Sequence, residues 1–344
     1  MIHVTARRLR DIVLQIFLAA GVPPSGAELV TDSLVEASLA GHDSHGVLRV
    51  TQYVEDVEKG RVDPHGAISI IRQSATTAML DGGRNFGRVA GGRGMEIAID
   101  KAREHDLGMV VLQNCGHTGR LAEYVIEAAK AGCMGLVFGG GSTVGGSVAP
   151  FGGTSRVLNT NPIAWGIPAG DRPRVFTDYA TSVRAGGKVM AAIDKGVSLP
   201  EGWLLDAEGY PTTDPTERLR GGILLPFGLH KGYGLSFMIE ALTGGLTGTG
   251  CAPFAEFQRN FVLVLIAVNI AVFQPLDAFC DTVQRLTAIT KSARKAPGVE
   301  EIYAPGEPEW QRRERLLREG LDLPDATWQR IVDVAARYSV PLGQ

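Results

Sequence analysis

Between residues 76 and 180 the chain alternates two textures, and this alternation restricts the fold more than any other feature of the sequence. TAMLDG, GMVVLQN, MGLVFG, PIAWGIPA and RVFTDYA are short apolar runs with strand character; VAGGRGMEIAIDKAREH and LAEYVIEAAKAG carry helical spacing between them. Strands and helices in succession bury each other as layers, so the expected fold class is α/β. FVLVLIAVNIAVF at 261–273 is the most apolar stretch. It falls short of the ~20 residues that span a bilayer and contains Asn269, so it reads as a further, buried strand.

Both ends of the chain differ from this middle. Residues 5–75 and 274–344 read as mainly helical. Ser25 and Glu28 have the spacing of a capping box ahead of a helix to Leu39. Val47, Val50, Val54 and Val57 form an apolar stripe, and TWQRIVDVAARY is amphipathic. The expected organisation is a helical domain from residues 1–75 with 275–344, and a central α/β domain over 76–274.

Composition narrows the function. A net charge of -3 over 344 residues supplies neither a nucleic-acid footprint nor a basic membrane face. Cys115, Cys133, Cys251 and Cys280 show no C-x-x-C spacing and read as free thiols, and MIHVTARRLRDIVLQIFLAAG follows helical spacing without a signal-peptide core; a cytoplasmic protein is expected. Glycine is the outlier at 44 residues, clustered near 82–94, 139–153 and 221–250, which points to tight turns and close approach to a ligand. None of these clusters fits G-x-G-x-x-G or the P-loop pattern, so a dinucleotide here would bind without a Rossmann fingerprint.

Four segments concentrate chemistry. In AGHDSHGVLRV (40–50), a turn between helices needs the glycines and Asp43 but not two histidines and an arginine. His45, Arg49 and Tyr53 stand at i, i+4 and i+8, one line on a helix, set roughly 120° from the valine stripe. An arginine fork can grip a carboxylate, and an imidazole near it can take a hydroxyl proton as hydride leaves. A solvated helix face is the alternative. His42 and His45 at i, i+3 could share a metal with His117, but no H-E-x-x-H or cysteine pair completes a site, and no metal is expected. His117, between two glycines in NCGHTGRLAEY, follows a strand, where open α/β sheets bind ligands. His230 and Lys231 fall at the start of a helix running through Leu242, where a bound anion would balance their charge. Asp178 in RVFTDYATS could hold a ribose hydroxyl or a carboxamide, or serve as a turn aspartate.

Taken together, the motifs resemble a known family. GHDSHGVLR (41–49), GHTGR (116–120), TNPIAWGIP (160–168), DYATS (178–182), LPEGWLLDAEGYPTTDP (199–215), HKGYGL (230–235) and PGEPE (305–309) occur in this order in the malate/L-lactate dehydrogenase family of the non-Rossmann type. That family includes sulfolactate, ureidoglycolate and hydroxycarboxylate dehydrogenases, diketogulonate reductase and a cyclic-imine carboxylate reductase. The chain looks closest to the hydroxycarboxylate dehydrogenase branch, and the resemblance covers nearly its whole length.

The resemblance implies hydride transfer between NAD or NADP and C2 of a small 2-hydroxy or 2-oxo acid. It also implies a family-specific cofactor fold in the central domain and a homodimer with the active site between domains. His45 would be the acid/base, with Ser44 beside it, Arg49 on the substrate carboxylate and Tyr53 in the same substrate site; His117 takes a position that some members use as proton acceptor. The cofactor segments map to His45, to Gly119, Arg120 and Leu121, to Thr177, Asp178, Tyr179 and Ala180, to His230 and Lys231, and to Gly306 and Glu307, with Asn260 added from the irregular segment after Gly250. Where relatives often carry polar residues, this chain has FGGGST (138–143), so Gly141 offers no side-chain contact. Two alternatives stay open: reduction of a cyclic imino acid, and a catalytically silent protein that kept the fold.

Overall fold

A computed structural model describes residues 1–170, 175–258 and 260–342. In chain order it runs β1 (Ile2–Val4), α1 (Ala6–Ala19), α2 (Pro24–Leu39), α3 (Val50–Glu58), β2 (Ser69–Gln73), β3 (Thr77–Asp81), α4 (Gly87–His105), β4 (Leu107–Cys115), α5 (Ala122–Lys130) and β5 (Cys133–Gly140). It continues through β6 (Ile163–Ile167), β7 (Val175–Tyr179), α6 (Gly186–Lys195), β8 (Leu204–Leu205), β9 (Pro211–Thr212), β10 (Ile223–Leu224), α7 (His230–Glu240) and β11 (Phe261–Asn269). The chain closes with α8 (Leu276–Lys291), α9 (Glu307–Glu319), β12 (Leu321–Leu323) and α10 (Asp325–Arg337).

The main sheet has seven strands in the order β2-β3-β4-β11-β5-β6-β7. Only β3 and β4 run parallel; β11 is antiparallel to both of its neighbours, β4 and β5. The apolar run therefore occupies the middle of the sheet, and Leu263, Leu265 and Ala267 are wholly buried. The helices α4 and α5 cover one face, packing Ala98, Tyr124 and Val125 onto it. On the other side, α7 and the π-helical turn that continues it lie against β5 and β11.

The chain ends share a second core, in which Leu9, Ile16, Phe17 and Leu34 from the start meet Leu321, Ile331 and Val334 from the finish. A two-strand ladder of β1 with β12 joins them. Three features depart from the sequence reading. Ser69–Gln73, inside the stretch read as helical, pairs antiparallel with β3 and belongs to the main sheet; all five residues are exposed, so no buried alternation marks the strand. The helix α8 lies in the C-terminal stretch but packs toward the sheet, where Gln284 donates to the Ala169 carbonyl at 3.1 Å. The capping box at Ser25 does not form: α2 begins at Pro24, with proline in its first turn and no side-chain cap.

Residues 186–225 form a smaller unit on the main sheet, with α6 and a β10-β8-β9 sheet around Val148, Val189, Leu204 and Leu224. A cleft between this unit, the helical end and the main sheet holds the residues of interest. Among the described residues no helix is long and apolar enough to cross a membrane.

Candidate active site

The segment 43–49 is not one helix. Asp43–His45 and Val47–Arg49 are separate 3-10 turns broken at Gly46, and α3 starts only at Val50. His45, Arg49 and Tyr53 therefore do not form the straight line expected of a continuous helix. The break has a packing cause. Ser38 Oγ accepts from the Val47 amide at 3.1 Å, and a Cβ on Gly46 would lie 2.1 Å from that oxygen. Gly46→Ala is expected to displace both His45 and Arg49, costing about 1–3 kcal/mol of stability as overpacked sites do. Paired thermal melts and kcat/KM check this; a native melt with native turnover would show that the break is not needed.

The two turns and the main sheet build a cavity of about 290 Å³. Ser44, His45, Arg49 and Gln52 line it from the helical end; His117, Thr118 and Gly119 come from the loop after β4, and Gly139 and Gly140 from the end of β5. Thr160, Asn161, Gly187 and Arg218 close it. No carboxylate lines this cavity among the described residues.

His45 and His117 stack with ring centroids 5.5 Å apart and planes 17° from parallel. Each uses Nδ1 for a hydrogen bond: His45 with Ser44 Oγ at 3.1 Å, His117 with the Tyr53 hydroxyl at 2.8 Å. Phe261 meets the His117 ring edge-on at 5.5 Å. Burial, reinforced by the charges of Arg49, His42 and Arg120, pushes the His45 pKa down to about 4, so the ring is neutral at pH 7. Tyr53 is 4% exposed and fills the core rather than flanking it. Its burial raises the phenol pKa, with Arg49 opposing, and the hydroxyl keeps its proton. Arg49 is anchored through Nε to the Ser44 carbonyl at 2.7 Å and through one Nη to Gln52.

The remaining expected residues fall elsewhere. His42 turns toward Glu309 of α9 (3.6 Å). Asp178 accepts from the Ala122 amide at 2.8 Å, so its carboxylate meets the start of α5; burial raises its pKa against that bond and the nearby Arg120 charge. Arg120 is buried with its guanidinium 5.2 Å from the Phe176 ring, and Leu121 is in the sheet core. Thr177 and Tyr179 are exposed at the sheet edge, with Ala180 just beyond it. His230 and Lys231 open α7 as expected and are exposed, outside the cavity lining. Gly306 precedes α9, and Glu307 pairs with Lys291 and accepts from the Ala304 amide at 2.8 Å. Asn260 Oδ1 accepts from the Asn114 amide at 2.7 Å, fixing the backbone three residues before His117.

Gly141 has φ +77°, and a Cβ there would lie 1.8 Å from the Asn260 carbonyl. The glycine departure at 139–141 thus has a packing reason where the chain leaves β5. Gly141→Ser should destabilise the fold by about 1–3 kcal/mol, the usual cost of a strained left-handed residue. A denaturant midpoint equal to that of the parent protein would count against this reading.

Thr160, Asn161 and Arg218 also reach the cavity. The first two lie in the TNPIAWGIP motif, where that motif was the only signal; Arg218 had none. Asn161 is 1% exposed, and its Oδ1 is buried without a partner among the described residues.

The family model described as malate/L-lactate dehydrogenase matches residues 4–332. A malate dehydrogenase of Pyrococcus horikoshii is 35% identical over 98% of this chain and 96% of its own length. An L-sulfolactate dehydrogenase of Methanothermobacter thermautotrophicus is 37% identical over 96% of each. A crystal structure of malate dehydrogenase from Entamoeba histolytica superposes with a TM-score of 0.94 at 31% identity, covering 100% of this chain and 99% of that one.

Proposed function

This chain belongs to the malate/L-lactate dehydrogenase family and is an oxidoreductase acting on the CH–OH group of hydroxy acids; we propose that NAD or NADP serves as its hydride partner at C2 of a small 2-hydroxy or 2-oxo acid, with His45 as the proton acceptor. The observation that carries the site assignment is the cavity lining: two histidines and two arginines with no carboxylate, a set suited to a small anionic substrate that exchanges a proton.

In the oxidative direction Arg49 orients the substrate carboxylate, and neutral His45 takes the hydroxyl proton as hydride leaves C2. Ser44 holds the imidazole through Nδ1, leaving Nε2 to exchange the proton. His117, held by Tyr53 and stacked on His45, fixes the position of the acceptor ring. The partnerless Oδ1 of Asn161, a residue of the cavity lining, is an acceptor suited to the amide group of a nicotinamide. The nicotinamide ring, when bound, supplies or accepts the hydride. Gly119, the segment Thr177–Ala180, Lys231 and Gly306–Glu307 are the proposed holders of the rest of the cofactor.

The protein is proposed to be cytoplasmic, consistent with four unpaired thiols. It is also proposed to be a homodimer, supported by Leu229, Phe237, Met238 and Leu246, which are 42–65% exposed on and beside α7. Sedimentation of the purified protein tests the dimer.

The deciding experiment follows oxidation of NADH and NADPH with pyruvate, oxaloacetate, 2-oxoglutarate, hydroxypyruvate, phenylpyruvate and one cyclic imino acid. Turnover of an oxo acid is expected. Turnover of the imine alone would transfer the protein to imine reduction, and cofactor binding without any turnover would favour a silent relative.

A further inference from the structure

Arg218, on the 3-10 turn Pro215–Leu219, reaches the same cavity as His45 and Arg49 from the small α6 unit. A second hollow of about 530 Å³ shares Arg218 and Gly186 with that cavity, and Arg156 lines it. Both guanidinium groups donate to one acceptor, the Gly222 carbonyl, each at 3.1 Å. Two positive charges are thereby gathered on one neutral oxygen. Glu217, the adjacent carboxylate, is taken by Arg220 at 2.9 Å. Among the described residues neither Arg218 nor Arg156 has an ion-pair partner. Burial, and then the charge of Arg156, lower the Arg218 pKa, as expected of a cation held without a counter-charge.

We propose that Arg218, with Arg156 behind it, is the specificity residue for the far end of the substrate, selecting 2-oxo and 2-hydroxy acids that carry a second anionic group. The inference rests on the hydroxy-acid reading of the cavity. With Arg49 engaged by the C1 carboxylate, a substrate with one acid group leaves Arg218 uncompensated beside a like charge. A carboxylate or sulfonate at the other end satisfies it with charge-assisted hydrogen bonds. A phosphate of the cofactor has related chemistry: of the proposed cofactor holders, Gly119 and Asn161 line the same cavity as Arg218 while Thr177, Tyr179 and Lys231 lie outside it, and the KM for NADH and NADPH tells the two sources apart.

The test compares kcat/KM for oxaloacetate and sulfopyruvate, each with a second acid group, against 2-oxobutyrate, a neutral-tailed acid of similar size. The protein should prefer the two diacids. Arg218→Gln should reduce that preference about 30- to 100-fold, mainly through KM, as loss of a charged hydrogen bond does. Arg218→Lys should recover part of the preference, and the exposed Arg156→Gln should shift it the same way by less. A preference for one diacid over the other would tell carboxylate from sulfonate at this position.

An unchanged diacid preference in Arg218→Gln and Arg156→Gln overturns the proposal. So does an equal fall for all three acids, which marks a structural role. A raised KM for NADH or NADPH with the acid preference intact assigns the pair to the cofactor instead. If no oxo acid is reduced by the parent protein, the underlying reading fails and takes this inference with it.

Discussion

Replacing His45 with alanine is expected to lower kcat by about 10²–10⁴, the range that a positioned general base contributes, while NADH still binds. The ring's side-chain contacts are few: a hydrogen bond to Ser44 and the stack on His117. The turn is held by backbone bonds from His45 to His42 at 2.8 Å and from Gly46 to Asp43 at 3.0 Å, so the variant should keep its fold. Stability gives an independent check. The folded-state pKa of His45 is about 4, below its ordinary 6.5, so between those values the unfolded chain binds more protons than the folded one. Native stability therefore falls as pH drops from 6.5 toward 4, and His45→Ala should lose that component. The comparison to make is the melting temperature of both proteins at pH 7 and pH 4.5, beside their turnover. His117→Ala should cost less activity than His45→Ala; the reverse order would exchange the two roles.

Most of the sheet was legible because burial leaves a pattern. Strands β3, β4 and β5 alternate with α4 and α5 in sequence, β6 and β7 follow as short apolar runs, and β11 announces itself by having almost no polar residue. What stayed hidden had no such periodic signature. Ser69–Gln73 forms a strand by pairing alone, with every residue exposed, and β1 and β12 are three-residue segments that meet across more than 300 positions of sequence. Proline at the start of α2 prevailed over a capping-box spacing that was formally present. Within the site, the motif around His45 was visible as a surplus of chemistry, but its geometry was not. The line through His45, Arg49 and Tyr53 assumed a continuous helix, and Gly46 interrupts it because Ser38 occupies the space a side chain would need. Tyr53 then points into the core and reaches the cavity only through His117. Arg218 was illegible for a different reason: only the folded α6 unit brings it to residues some 170 positions away, and no local spacing encodes that.

Arg49→Gln should lower kcat/KM for the oxo or hydroxy acid by about 10²-fold or more, chiefly through KM, because a charged hydrogen bond contributes about 1.5–3 kcal/mol and the guanidinium can make two to a carboxylate. Arg49→Lys should be nearly as damaging, since a point charge cannot reproduce the fork. The substitution has a second consequence that loss of binding alone would not produce. After burial, the Arg49 charge is the largest influence lowering the His45 pKa. Its removal favours the imidazolium, so the acid limb of the oxidation profile of kcat/KM should move up from near pH 4 toward 6.5 in Arg49→Gln. A bound substrate carboxylate neutralises the same charge, and in the parent enzyme the limb of kcat should accordingly lie at higher pH than that of kcat/KM. This arrangement would keep His45 a neutral base in the open site and make it a better proton holder once the acid is in place. Saturation kinetics between pH 4 and 9 on the parent and Arg49→Gln decide the matter. An unchanged KM removes Arg49 from the carboxylate site, and an unmoved acid limb uncouples it from His45.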